Sequence, residues 1–238
     1  MGAPVTHVEI MGPDRDALVR FYGEAFGWLF EPHDEMNYTM FRTAPGWIGG
    51  GIGVPQDGKP SVSVYAEVES LDATLTKALE LGATGKMGPM DIGGGARIAM
   101  FADPASNVFG LYEGPTGTPP EGAGSPVVWF DVFGPDAVAL QSFYRDLFEW
   151  KIDLGKDGYG HVAAEADGVG GGIWTPLTGM PSHGILVYVR STDLEGSLKI
   201  IERIGGTTVT ARESVGDGLE ISLFRDVAGN LNGLVQYG

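Results

Sequence analysis

The chain has 238 residues, 43% of them apolar, with 15 basic against 31 acidic residues, a formal net charge of −16 and no cysteine. That is enough chain and enough apolar side chain for one large folded domain or two ordinary ones, and it excludes a disordered segment. The acidity disfavours nucleic acid and anionic membranes as partners, and the missing cysteines exclude disulfides, thiolate metal sites and cysteine nucleophiles.

No basic N-terminal segment leads into an apolar run, and no apolar run approaches the ~20 residues that span a bilayer. The expectation is a soluble cytoplasmic protein. The first strand is predicted from Thr6 to Met11, followed by the turn Gly12-Pro13-Asp14. Ala17, Leu18, Phe21, Tyr22, Ala25 and Phe26 then fall at helical spacing, with Asp14 or Asp16 near the positive end of the helix and Gly27 as its stop. Tyr38 to Thr43 alternates as a strand. Trp47 to Val54 reads as another, one face nearly bare of side chains because of Gly49, Gly50 and Gly51. No Lys-Ser/Thr follows that triple glycine, so it is not a phosphate loop.

Ser61 to Val68 alternates cleanly, and a second helix runs from Leu71 to Leu81. Arg97 to Phe101 and Asn107 to Tyr112 are strands joined by the turn Asp103-Pro104-Ala105-Ser106-Asn107. A Pro/Gly-rich stretch at 115–125 reads as a linker. After it the order recurs. Gly134-Pro135-Asp136 repeats Gly12-Pro13-Asp14, Phe143-Tyr144 repeats Phe21-Tyr22, and Trp150 repeats Trp28, all at one spacing. Tyr159 stands where Tyr38 stood, Gly170-Gly171-Gly172 matches the first glycine strand, and Asp226 to Asn230 matches Asp103 to Asn107. Each half reads as strand–helix–three strands, written twice.

This double repeat, with its Phe-Tyr pair and its Asp-Pro-x-x-Asn turn, resembles the vicinal oxygen chelate superfamily of glyoxalase I, bleomycin-resistance proteins and extradiol dioxygenases. It is similar in particular to a two-domain actinobacterial branch labelled glyoxalase/bleomycin-resistance-like or hydroxylase. The resemblance implies an α+β fold of tandem βαβββ modules: two domains, 1–114 and 126–238, each with a curled mixed β-sheet cup that binds ligand and, in the enzymes, a divalent metal held by His and Glu. The family's ligand positions fall here on His7, Ser63 and Gly110 in the first half, and on Trp129, Gly184 and Gly233 in the second. A metal site needs three or more protein ligands. His7 alone does not supply them, so no cofactor is expected, and a divalent metal would need an unorthodox ligand set.

The resemblance and the period-two alternation of the strands together nominate the cup lining. In the first half it comprises His7, Glu9, Tyr38, Ser63, Tyr65, Arg97, Phe101 and Tyr112. In the second it comprises Trp129, Asp131, His161, Trp174, Glu220 and Phe224. Glycines on the closing strands would leave room for ligand. His7 reads as a hydrogen-bonded core histidine, as a ligand contact or, with Glu9, as an acid–base pair. Two functions follow. One is a protein that binds a small organic molecule in aromatic-lined cups. The other is a lyase, isomerase or oxygenase acting on a small carbonyl or aromatic substrate. Either would act as a monomer or a homodimer.

Overall fold

The computed structural model describes residues 2–115, 121–216 and 218–238. The centre of the expected linker, 116–120, lies outside the described residues. The first module is β1 (Val5–Met11), α1 (Arg15–Phe26), β2 (Leu29–His33), a 3-10 turn, β3 (Tyr38–Arg42) and β4 (Gly49–Gly53). The second is β5 (Ser61–Glu67), α2 (Leu71–Glu80), β6 (Thr84–Gly93), β7 (Ala96–Ala102) and β8 (Val108–Glu113). The third is β9 (Val127–Phe133), α3 (Ala137–Phe148), β10 (Ile152–Leu154), β11 (Gly160–Val162) and β12 (Gly170–Trp174). The fourth is β13 (Gly184–Arg190), α4 (Leu194–Arg203), β14 (Thr207–Gly216), β15 (Leu219–Arg225) and β16 (Leu231–Tyr237).

Each half of the sequence supplies one open eight-stranded mixed sheet. The strand orders are β2-β3-β4-β1-β5-β8-β7-β6 and β10-β11-β12-β9-β13-β16-β15-β14, so the tandem α+β architecture is as the repeat implies. The helices start where the turns place a capping side chain. Asp14 accepts from the Ala17 N–H at 2.8 Å and Asp136 from the Ala139 N–H at 2.9 Å, satisfying donors that the first helical turn leaves open. The strands that alternation did not locate are β2, β6, β10 and β14. All four sit at sheet edges, where little is buried and the apolar signal fades.

Packing divides the chain into two compact units that do not coincide with its halves. One contains Met1–His7, Ser63–Thr118 and Trp129–Ile185; the other contains Val8–Val62, Pro119–Val128 and Leu186–Gly238. Within the first, the Phe-Tyr pair of α3 meets the Asp-Pro-x-x-Asn turn after β7. The Tyr144 hydroxyl donates to Asp103 Oδ2 at 2.9 Å, and Asp103 also accepts from the backbone N–H groups of Ala105 and Asn107 and from Asn107 Nδ2. Tyr144 stacks on Trp150 with ring centroids 5.5 Å apart, among Phe109 and Phe148. The Trp150 indole N–H is satisfied by the Ala3 carbonyl at 2.7 Å.

The second unit repeats this. The Tyr22 hydroxyl donates to Asp226 Oδ2 at 3.0 Å, and Asp226 accepts from Ala228, Asn230 and Asn230 Nδ2. Tyr22 stacks on Trp28 at 5.0 Å, and Trp28 Nε1 donates to the Ser125 carbonyl at 2.7 Å. Burial raises both phenols well above their ordinary pKa, with the facing carboxylate as the next cause. Burial also raises Asp103 and Asp226, partly offset by the hydrogen bonds they accept.

Tyr144→Phe keeps the ring and removes one donor from a buried carboxylate. It should destabilise the fold by about 1–3 kcal/mol, read as a lower urea midpoint at unchanged slope. An unchanged midpoint would show that the bond contributes nothing net.

Candidate functional site

The densest polar construction on a predicted ligand face lies in the third module. Trp129 and Asp131 are two apart on β9 and therefore share a face. β12 runs parallel to β9 with Gly170 opposite Trp129 and Gly172 opposite Asp131, and β11 sets His161 opposite Gly172. A Cβ at Gly172 would overlap the Tyr159 hydroxyl and crowd Asp131 Oδ1, and one at Gly170 would press on the Trp129 ring. The bare face of the glycine strand is thus the seat of these side chains. α3 ties the residue before Tyr159 to the facing strand through Gln141, whose Nε2 donates to the carbonyls of Gly158 at 2.9 Å and of Ile173 in β12 at 3.1 Å.

Three neutral donors then converge on one carboxylate. Asp131 Oδ1 accepts from the Tyr159 hydroxyl at 2.8 Å and from Trp129 Nε1 at 3.1 Å, and Oδ2 accepts from Trp174 Nε1 at 3.0 Å. Asp131 is only 3% exposed, whereas Trp129, Tyr159 and Trp174 are half-buried. His161 is exposed, its ring 4.8 Å from that of Trp129. Burial, and next the Asp131 charge, push the Tyr159 phenol far above its ordinary pKa, so it stays a hydrogen-bond donor. Of the residues expected here, Trp129, Asp131, His161 and Trp174 come together. Tyr159 was not among them, although its register with Tyr38 in the repeat could have found it.

The first module carries the simpler counterpart. The Tyr38 hydroxyl donates to Glu9 Oε1 at 3.2 Å, over a glycine, Gly51, where a Cβ would overlap that hydroxyl. Burial and then the Glu9 charge raise the Tyr38 phenol far above its usual range. In the other compact unit, His7 meets the Tyr65 ring edge-on at 5.4 Å, and the Tyr65 hydroxyl reaches Met100 Sδ at 3.5 Å. Desolvation lowers the His7 imidazole to about 4.

The expected vacant space on the closing strands is filled. A Cβ at Gly110 would overlap the Tyr65 ring, one at Gly233 the Tyr188 ring, and one at Gly184 would crowd the Phe133 ring. The pairings Tyr65 with Gly110 and Tyr188 with Gly233 are directly opposite in their parallel ladders. Three of the positions where the resemblance looks for metal ligands are therefore glycines overlain by aromatic carbon. Ser63 is a buried hydroxyl and Trp129 offers only an N–H donor. This donor chemistry does not fit a divalent ion, and among the described residues no group of three His, Asp or Glu side chains is placed to hold one.

Several expected lining residues lie elsewhere. Phe101 is fully buried against Phe109 and Phe143, and Phe224 against Phe21 and Phe26, so both belong to the aromatic core on the helix side. Arg97 bonds Asp72 of α2 at 2.9 Å and lies 3.6 Å from Glu113. Met100, of opposite parity to Arg97 and Phe101, meets the Tyr65 hydroxyl. The face assignment of β7 is thus inverted by one residue, the error that a period-two pattern permits. Glu220 pairs across the β14–β15 ladder with Arg212, which holds its carboxyl below the usual range. The Tyr112 hydroxyl is engaged locally with the Pro115 carbonyl at 3.3 Å.

The architecture is the tandem vicinal-oxygen-chelate fold, and its third module carries an aromatic, carboxylate-centred face. Residues 7–112 match the glyoxalase-like domain family, and the chain as a whole has the tandem fold of the solved structures it resembles. Among its relatives, "Putative glyoxylase CFP32" of Mycobacterium tuberculosis (strain CDC 1551 / Oshkosh) is 24% identical over 85% of this chain and 82% of its own. "Anthracycline biosynthesis protein DnrV" of Streptomyces peucetius is 28% identical over 79% of this chain and 74% of its own. The crystal structure of the Mn(II)-bound glyoxalase from Novosphingobium aromaticivorans superposes with a TM-score of 0.69, at 15% identity, over 99% of this chain and 82% of that one. Among the described residues no helix is long and apolar enough to cross a membrane.

The lowered His7 pKa sets a pH dependence. The unfolded imidazole binds its proton near 6.5 and the folded one only near 4. Stability tied to the neutral ring is therefore complete above pH 6.5 and lost as pH falls toward 4. At ~1.4 kcal/mol per unit, this group should remove about 1–2 kcal/mol between pH 7 and 5. His7→Gln should flatten that part of the urea-stability profile, and an identical slope in wild type and variant would exclude this assignment.

Proposed function

We propose that this protein binds a small, largely planar organic molecule on aromatic-lined faces of its sheets, without a metal centre of the family's kind. The carrying observation is the third-module constellation. A buried carboxylate holds two indoles and a phenol in fixed orientation, and their half-exposed rings face outward as a preorganised stacking surface. Rigid aromatic faces with a few fixed polar groups are what a small-molecule site requires. The likeness to an anthracycline biosynthesis protein points to the same ligand chemistry. The likeness to glyoxalases supports the architecture, and the glycine positions under Tyr65, Tyr188 and Phe133 favour a reading without the family's own ligand set.

The pair His7 and Glu9 supports binding better than acid–base catalysis. An imidazole whose conjugate acid has a pKa of about 4 is a weak base near neutrality. Glu9 already accepts a hydrogen bond from Tyr38. Asp131 is a positioning residue for Trp129, Tyr159 and Trp174.

Titration with an anthracycline, followed by quenching of the ligand's fluorescence, tests this reading. Saturable binding is expected. Trp129→Leu should weaken it by ~1–3 kcal/mol, the scale of an aromatic stacking partner. Asp131→Asn should weaken it less, because the amide still accepts hydrogen bonds. Added Mn²⁺ should leave the melting temperature unchanged, since an ion that does not bind the native state cannot stabilise it. A manganese-dependent rise in melting temperature that is lost in His7→Ala would restore the metalloenzyme.

A further inference from the structure

A second candidate site uses none of those residues. Arg190 ends β13 in the fourth module, where its backbone N–H is held by the Pro126 carbonyl at 2.9 Å. Its guanidinium lies over two rings, with the central carbon 4.8 Å from the Trp47 centroid and 5.3 Å from the Tyr237 centroid. Arg190 Nε is buried without a hydrogen-bond partner. In a chain with twice as many acidic as basic residues, the ion pairs among the described residues use Arg15, Arg42, Arg97, Arg145 and Arg212 but not Arg190. A cleft of about 440 Å³ opens beside it, lined by Arg190, Ser191, Thr192, Gln236 and Tyr237.

The lining offers donors and an aromatic edge, and no carboxylate. Gln236 Oε1 is committed to the Leu194 N–H at the start of α4, at 3.2 Å, so its remaining group is the NH₂. Ser191 Oγ is committed to the Asp193 N–H and to Ser197 Oγ, while Thr192 adds a hydroxyl. The second module shows that the fold does not require this chemistry. There Glu67 ends the matching strand, and a carboxylate, Glu113 Oε2, takes the matching helix N–H of Leu71 at 2.6 Å. The fourth module keeps the helix contact with an amide, removes the negative charge, and places an arginine beside the space.

We infer that this cleft is a binding site for a small carboxylate. A guanidinium fixed between ring faces keeps its edge in one plane, the geometry that pairs with a planar carboxylate through two parallel hydrogen bonds. A single negative charge is the form best tolerated here. The chain carries −16, Asp193 and Glu195 begin the next helix, and a phosphate dianion meets twice the repulsion. The half-exposed Trp47 and exposed Tyr237 rings favour a carboxylate on an aromatic or apolar body.

The test is calorimetric titration of the intact chain with benzoate, and separately with inorganic phosphate. Benzoate should bind saturably at one site and more tightly than phosphate. Arg190→Lys keeps the charge but loses the fork, and should weaken benzoate about tenfold, ~1.4 kcal/mol. Gln236→Glu copies the second module, keeps the helix contact and the fold, and should also weaken benzoate about tenfold by restoring the repelling charge. Trp129→Leu, which tests the ring-lined face of the third module, should leave benzoate binding unchanged. Melting curves confirm that each variant is folded. Absent saturation, undiminished affinity in Arg190→Lys and Gln236→Glu, or tighter binding of phosphate than benzoate would each overturn the assignment.

Discussion

A buried phenol hydroxyl against a buried carboxylate, made twice, holds each compact unit together. Tyr144 of α3 and Asp103 after β7 come from opposite halves of the sequence, as do Tyr22 of α1 and Asp226 after β15. Either carboxylate alone would be expensive to bury. Each is made tolerable by two backbone N–H groups, one asparagine amide and one phenol. The asparagine in turn reaches a strand end of the other half: Asn107 bonds the Phe133 carbonyl and Asn230 the Met11 carbonyl. The Phe-Tyr pair and the Asp-x-x-x-Asn turn therefore look like independent landmarks in sequence but are two sides of one contact. Their joint recurrence is a packing requirement. It also explains why the compact units mix the halves that the sheets keep separate.

The second organising constraint is steric. At four glycines of the sheets a neighbouring tyrosine ring lies over the bare position: Tyr38 over Gly51, Tyr65 over Gly110, Tyr159 over Gly172, Tyr188 over Gly233. A ring laid flat on a glycine buries apolar area without raising the sheet surface, and its far edge is carried toward the carboxylate on the adjacent strand. In the first and third modules that edge is a hydroxyl, and it finds Glu9 and Asp131.

These two constraints account for what was legible in the sequence. The helices, the twelve inner strands and the doubled architecture were readable because caps, apolar stripes and the Phe-Tyr and Gly-Pro-Asp repeats are local signals. β6 and β14 were not, because edge strands that are almost wholly exposed carry no apolar alternation. Of the site, Trp129, Asp131 and Trp174 were legible from parity and from the repeat. The faces of β7 and β15 were not. Phe101 and Phe224 look like ligand-lining aromatics until the partners that claim them, Phe143 and Phe21, arrive from other modules. Parity gives relative orientation along a strand, and only a long-range contact gives the absolute one.

Duplication then frees each copy to diverge at positions the scaffold does not need. The Tyr–Asp contact and the stacked tryptophans are kept in both units, since losing either would expose a buried charge or a large cavity. The face residues are not kept. Glu9 with one phenol donor becomes Asp131 with a phenol and two indoles, and the carboxylate of Glu113 becomes the amide of Gln236. In the first case the phenol contact persists while the donor count changes, and in the second the helix N–H contact persists while the charge changes. The two halves therefore share one scaffold geometry while the third and fourth modules carry more fixed donors and aromatic faces than the first and second.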